Sequence, residues 1–205
     1  MQSMEITHLY ELIERLGNLL RAEERRVATD HGLQPVHLHV LHYLTHCNRF
    51  SDTPAAVTKY LGLTKGTVSQ SLKVLERKAL VMKCPDPNDG RKVHLKVTAE
   101  GLEVVQSAIP TNLLQQAAEN TGTDVAQLSC MLGGLLRGVQ RANGSRSFGV
   151  CRSCHHFLID GPSFQCGLTH EPLSQADSRR ICCEHTSAPS EGSIDVQSPA
   201  LSPMI

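Results

Sequence analysis

The chain has 205 residues, 40% of them hydrophobic and 20% charged, which is ordinary globular composition and enough for one medium domain plus a small module. No apolar run approaches the roughly 18–20 residues of a membrane span, and the opening MQSMEITHLYELIERLG lacks a basic start followed by an apolar stretch, so neither a membrane span nor a secretory signal is expected. The expected location is the cytoplasm, where cysteines stay reduced and a cysteine cluster points to metal binding or redox sensing before disulfides.

The net charge of zero hides an asymmetry. Residues 59–96 carry nine Lys/Arg against three Asp/Glu, residues 1–58 five against seven, and residues 97–205 six against ten. Basic charge concentrated in one central segment is the distribution of a local contact with a polyanion such as DNA.

In chain order, Ile6, Leu9, Leu12, Ile13, Leu16, Leu19 and Leu20 recur at three- and four-residue steps and predict a long amphipathic helix from Glu5 to about Thr29. Pro35 opens a second helix, VHLHVLHYLTHC. Its His42 and His46 have the i, i+4 spacing that can chelate zinc, but no acidic third ligand accompanies them, and they are read as surface or hydrogen-bonded histidines.

The stretch SDTPAAVTKYLGLTKGTVSQSLKVLERKAL predicts two short helices around a glycine-containing turn, the helix-turn-helix pattern. Ser51, Asp52 or Thr53 caps the first helix, which ends at Leu61-Gly62, and Thr64 caps the second, Lys65 to Lys78. On that second helix Val68, Leu72 and Leu75 form a buried stripe, while Lys65, Thr67, Ser69, Gln70 and Lys73 present short, polar or basic groups and no acid. Hydroxyls and amides for base edges, with lysines for phosphates, suit a helix entering a major groove, and Gly66 leaves room for a phosphate.

The segment LVMKCPDPNDGRKVHLKVTAEG predicts strand, turn, strand and helix start. On the second strand Val93, Leu95 and Val97 alternate with Lys92, His94 and Lys96, so one face is expected buried and the other basic. A hairpin directly after a recognition helix is a wing. Arg91 and Lys92 at its tip would reach a minor groove or backbone, and Asp89 would hold the Arg91 guanidinium with a charge-assisted hydrogen bond.

DPNDGRKVHLKVTAEG resembles the wing signature of the MarR (multiple antibiotic resistance regulator) family of winged helix-turn-helix repressors, matching at Asp89, Arg91, Val93-Leu95-Val97, Thr98 and Gly101. LTKGTVSQSLKVLERKALV resembles the family's recognition helix, and the likeness runs from about Glu5 to Arg141. The resemblance implies a mainly α (α+β) fold, a winged helix-turn-helix with long N- and C-terminal dimerisation helices. It also implies a homodimer on a pseudo-palindromic operator in double-stranded DNA, with one recognition helix per subunit in adjacent major grooves and the wing arginine in the flanking minor groove. Family members often bind a small phenolic or aromatic effector near the dimer interface, so such an effector is a further expected partner. The last two helices of that frame are supplied by GLEVVQSAIPTNLLQQAAEN, which Pro110 should kink or break, and by DVAQLSCMLGGLLRGVQRA, capped by Thr123 or Asp124 and striped with Val125, Leu128, Leu132, Leu135, Leu136 and Val139.

A linker at residues 144–150 leads to a cysteine-rich module at 151–185, and the Ser/Pro-rich residues 186–205 lack periodicity and are expected to be disordered. The module's cysteines are Cys151, Cys154, Cys166, Cys182 and Cys183. A Cys-x2-Cys pair brings two thiolates to one metal centre, and two distant thiolates complete the set, so four of these five are expected ligands. Zinc and iron–sulfur clusters both accept four cysteines. Zinc ribbons use two such knuckles and this stretch has one; its layout resembles small four-iron four-sulfur modules of some enzyme subunits, so an iron–sulfur (4Fe–4S) centre is preferred over zinc. His170 and His185 are substitute ligands for zinc. Cys47, Cys84 and Cys130 lie outside the cluster and are read as small buried hydrophobes.

The expected function is therefore a sequence-specific, homodimeric transcriptional regulator acting as a repressor, responsive to redox state or metal through residues 151–185. The alternative is an electron-transfer or enzyme-accessory protein whose winged helix binds protein. No enzyme is expected: Cys154 with His155 or His156 would be a nucleophile beside its own chain neighbours, with no third group to orient the base.

Overall fold

The computed structural model describes residues 2–87, 89–110, 112–144 and 148–187. Within them the chain forms two compact units, one drawn from residues 2–45 and 52–121, the other from residues 46–51 and 122–187.

The first unit is mainly helical. Helix α1 (Gln2–Asp30) buries Ala28 near its end, while Ile6, Leu9, Leu12, Ile13, Leu16 and Leu19 stay exposed. Helix α2 (Pro35–His46) is the hub: Leu38, Val40, Leu41 and Tyr43 have no exposed surface. Helix α3 (Pro54–Leu61) starts at Thr53, whose hydroxyl accepts the Ala56 N–H, and stops at Gly62, whose left-handed backbone (φ 64°) lets its N–H reach the Thr58 carbonyl. Few other residues take that conformation without strain, so the turn between the two short helices depends on this glycine.

Helix α4 (Lys65–Arg77) is capped by Thr64, which accepts the Thr67 N–H at 3.1 Å. It buries Val68, Ser71, Leu72 and Leu75. Strands β1 (Val81–Pro85) and β2 (Val93–Val97) then pair antiparallel, Val81 opposite Val97 and Pro85 opposite Val93. This is the winged helix-turn-helix.

Thr98 ends the wing and starts α5 (Ala99–Ala108): its hydroxyl accepts the Gly101 N–H at 3.1 Å and donates to the Ala79 carbonyl at 2.8 Å. A Cβ at Gly101 would lie 2.3 Å from the Leu80 carbonyl oxygen and 2.8 Å from Val97 Cγ1. The backbone carbonyl cannot swing aside, so Gly101→Ala is expected to cost about 1–3 kcal/mol, read as a lower melting temperature; an unchanged melt would show that this packing is soft. Pro110 breaks the following helix rather than kinking it, and α6 (Asn112–Thr121) begins two residues later.

In the second unit, Asp124 rather than Thr123 caps α7 (Val125–Ala142), accepting the Gln127 N–H at 3.0 Å. No residue of α7 is buried. The cysteine segment folds as small sheets. β3 (Gly149–Val150), at the end of the expected linker, pairs antiparallel with β7 (Ile181–Cys182). β4 (Phe157–Asp160), β5 (Ser163–Cys166) and β6 (Pro172–Leu173) form a three-stranded antiparallel sheet. A short helix α8 (Gln175–Ser178) is held by reciprocal bonds between Ser174 and Asp177.

The isolated cysteines depart from expectation in two cases out of three: Cys47 is buried, but Cys84 is half-buried and Cys130 is exposed on α7. The expected disordered tail lies outside the described residues from 188 on, as does the linker at 145–147. Among the described residues no helix is long and apolar enough to cross a membrane.

Candidate nucleic-acid interface and cysteine pocket

The two candidate sites belong to different units. In the first, α4 divides as its sequence predicts. Thr64, Lys65, Thr67, Ser69, Gln70 and Lys73 are all exposed, on the helix face opposite Val68, Leu72 and Leu75. The Thr64 and Thr67 hydroxyls bond each other at 2.9 Å, so part of their capacity is spent on the cap, while a Cβ at Gly66 would meet only the Thr64 hydroxyl, at 3.7 Å.

The wing tip is built by Asp86 and Asp89. The Asp86 N–H donates to the Lys92 carbonyl, the Lys92 N–H to the Asp89 carbonyl, and the Asp89 N–H to the Asp86 carboxylate. Asp89 then accepts the Arg91 backbone N–H at 3.0 Å, but the Arg91 Nε stands 3.9 Å away. Asp89 therefore shapes the turn through the backbone; it does not clamp the guanidinium as the sequence suggests. The Arg91 side chain is 98% exposed, and Lys92 is exposed beside it.

The outer face of β2 also differs from a plain basic stripe. His94 bonds Asp86 Oδ2 through Nε2 at 2.9 Å and Asp52 through Nδ1. Lys96 Nζ donates to the other oxygen of Asp52 at 2.6 Å, and the Leu95 N–H donates to the Asp52 carbonyl at 2.7 Å. Asp52 is buried and pins the wing to the start of α3. The bond to Asp86, then that to Asp52, raise His94 above its ordinary imidazole value. Nothing in the local sequence marks Asp52 for this role; its cap-like setting disguises a residue whose partners lie 42 and 44 positions on.

In the second unit the five expected ligands come together. Cys151, Cys154, Cys166, Cys182 and Cys183 all line one cavity of about 480 Å³, part of it open, walled by Phe50, Phe157, Leu168 and Leu173. A short 3₁₀ turn (Cys151–Ser153) makes the Cys-x2-Cys knuckle, with the Cys154 N–H donating to the Cys151 carbonyl at 2.9 Å. Asn48 Nδ2 donates to the Cys151 sulfur at 3.2 Å and the Thr186 N–H to the Cys154 sulfur at 3.4 Å. Cys151 and Cys182 bond each other: Cys182 is drawn down to about 6, chiefly by that bond, and Cys151 is pushed up by the same bond and by burial. The pair thus favours one thiolate. Cys183 instead turns toward Glu184 Oε1 at 3.7 Å.

The histidines are distributed differently from expectation. His156 lines the cavity, whereas His185 bonds Ser153 at 3.0 Å and lies against Gly149, and His170 sits in a left-handed turn and is not among the lining residues. His46–Ser51 is a part of this unit that the sequence does not signal. The Asn48 N–H donates to the Ile181 carbonyl at 2.9 Å, Ser51 Oγ accepts the Cys183 N–H at 2.9 Å, and Arg49 reaches Asp177 at 3.4 Å and the Pro172 carbonyl at 2.6 Å. Burial raises Asp177, but Ser174 and Arg49 outweigh it and hold the carboxyl below its usual value.

Residues 31–92 match the model of the MarR family. The structure is similar to Streptococcus pneumoniae FabT in complex with DNA, at 24% identity over 69% of this chain and 99% of that one, TM-score 0.52. It is likewise similar to the S. aureus MepR–DNA complex, at 20% identity over 64% and 96%, TM-score 0.52. A MarR family transcription regulator, SP03579, matches at 17% identity over 69% and 95%, TM-score 0.53. No curated protein matches the chain. At these identities the solved structures speak for the fold. They align with at most about two thirds of the chain.

Proposed function

We propose that this chain, which carries a MarR-family winged helix-turn-helix, is a homodimeric, sequence-specific DNA-binding repressor whose binding responds to a metal centre or redox state in its cysteine pocket. The observation that carries the DNA reading is the acid-free exposed face of α4, followed by a wing whose Arg91 is 98% exposed. Lys65 and Lys73 would meet phosphates, Thr67, Ser69 and Gln70 base edges or phosphates, and Arg91 with Lys92 the flanking minor groove or backbone. FabT and MepR, of the same fold, have been solved with DNA.

Exposed apolar stripes support the dimer. The α1 stripe Ile6, Leu9, Leu12, Ile13, Leu16 and Leu19 is 39–65% exposed, and α7 leaves Leu128, Leu132, Leu135 and Leu136 40–58% exposed. Contiguous apolar faces on water-exposed helices mark association, and a second copy of the same chain is the partner that a two-fold operator requires. A small phenolic or aromatic effector would find its place near those helices.

The chain path supports a response. His46–Ser51 contributes Asn48, Phe50 and Ser51 to the pocket lining, and the next residue, Asp52, holds the wing through His94, Lys96 and the Leu95 N–H. One peptide bond separates a group that packs on the cysteines from a group that sets the wing.

Arg91→Ala tests the DNA reading. Fluorescence anisotropy with a cognate duplex should show about tenfold weaker binding and a salt slope shallower by about one unit, because one phosphate-tracking charge is lost. A folded Arg91→Ala protein with unchanged affinity and slope would contradict the wing assignment. An electron-transfer or accessory protein would show no salt-sensitive, sequence-selective duplex binding at all.

A further inference from the structure

The cysteine pocket allows a sharper statement about what it holds. We infer that it binds an iron–sulfur cluster, ligated by Cys151, Cys154, Cys166 and Cys182, with Asn48 as the residue that positions the Cys151 sulfur. This rests on the reading of the pocket as the metal-responsive part of a regulator, and it adds the identity of the group and its ligands.

The donor set is the first argument. The module's five cysteines, one histidine (His156) and one carboxylate (Glu184) line the cavity, and a donor set dominated by thiolates selects zinc or iron–sulfur centres over hard cations. Both would draw on the same thiols. One zinc ion draws four ligands to about 2.3 Å from a single point. The five cysteines line one cavity of about 480 Å³, part of it open. Four thiols around a shared cavity can each bind one iron of a single cluster.

The surroundings suit a cluster as well. Phe50, Phe157, Leu168 and Leu173 give it apolar walls, and N–H donors from Asn48 and Thr186 point at the Cys151 and Cys154 sulfurs. Hydrogen bonds to ligating sulfurs and exclusion of solvent are the levers by which a protein steadies such a cluster and sets its potential. The fourth ligand follows from direction. Cys183 turns to Glu184 and spends its N–H on Ser51, and Cys182, which also lines the cavity, completes the set with Cys151, Cys154 and Cys166.

The test is full-length protein purified without oxygen and reconstituted with ferrous iron and sulfide. It is analysed for iron, sulfide and zinc and by visible absorption before and after dithionite. The expected result is a brown protein that bleaches on reduction, with iron and sulfide in equal amounts, four of each for the cubane form. Cys166→Ser and Cys182→Ser should lose the chromophore and most of the iron, while Cys183→Ser keeps both. Asn48→Ala should retain the stoichiometry but lose its colour several-fold faster in air and show a shifted reduction potential.

A colourless protein with one zinc per chain, or no metal of any kind, would overturn the inference. So would Cys183→Ser and Cys182→Ser behaving alike, or iron retained in Cys166→Ser. Duplex binding by the same preparations is read separately. Salt-sensitive binding without a cluster removes the inference and leaves the regulator, and a cluster without duplex binding does the reverse.

Discussion

Replacing Leu132 and Leu136 together by glutamate is expected to turn the proposed dimer into a monomer and to weaken operator binding by two orders of magnitude or more. Both leucines lie on α7, at 48% and 58% exposed, in a stripe that is not buried among the described residues. In the dimer they would be desolvated, and a carboxylate there would have to be buried without a partner or expose the whole seam to water. In the proposed dimer each subunit would carry one recognition helix, so the second half-site would be bound at an effective concentration set by the dimer itself. Removing that linkage forfeits an avidity of about 10²–10⁴. Sedimentation shows the mass and anisotropy the affinity. A double variant that stays dimeric would relocate the interface away from this stripe, and a monomer that binds the operator as tightly as the dimer would contradict the two-half-site arrangement.

The largest loss of stability is expected at Asp52. Its carboxylate is buried and meets both His94 and Lys96, so Asp52→Ala leaves two cationic groups at the foot of the wing without their shared partner. Breaking a buried pair from one side costs about 3–5 kcal/mol, and the low end applies here because Lys96 stays half in water and His94 can release its proton. His94 adds a pH dependence of definite sign. The groups facing it are Asp86, Asp52 and, across Asp52, Lys96. The folded protein holds His94 above its ordinary value, so the stabilisation is complete below the unfolded value of about 6.5. It is lost as pH rises through the higher folded value. The melting-temperature gap between wild type and His94→Gln should therefore be widest near pH 6 and shrink toward pH 9. A gap that widens with pH would mean that His94 is neutral in the fold.

The winged helix was legible because its signals are local. Thr64 and Thr98 cap the helices they precede, Pro110 ends one, and the Val68-Leu72-Leu75 stripe declares the buried side of α4. Three adjacent residues show where local reading stops. Ser51, Asp52 and Thr53 are equal candidates for one cap by composition. Only Thr53 caps; Ser51 bonds Cys183 and Asp52 pins the wing. What divides them is partners 42 to 132 residues away, which no window along the chain contains. The same holds for Asn48, whose bond to the Cys151 sulfur spans 103 residues. The cysteines were legible as a group, because knuckle spacing is local, and all five line one cavity; that Cys183, just past β7, turns to Glu184 was not legible.

The measurement that bears most directly on the account is selection of binding sites by the full-length protein from a pool of random-sequence duplexes, followed by titration of the enriched duplex against salt. The account predicts enrichment of a pseudo-palindrome with half-sites about one helical turn apart, bound far more tightly than unselected DNA and with affinity that falls steeply as salt rises. Failure to enrich any sequence, from protein that is folded and dimeric, would contradict it.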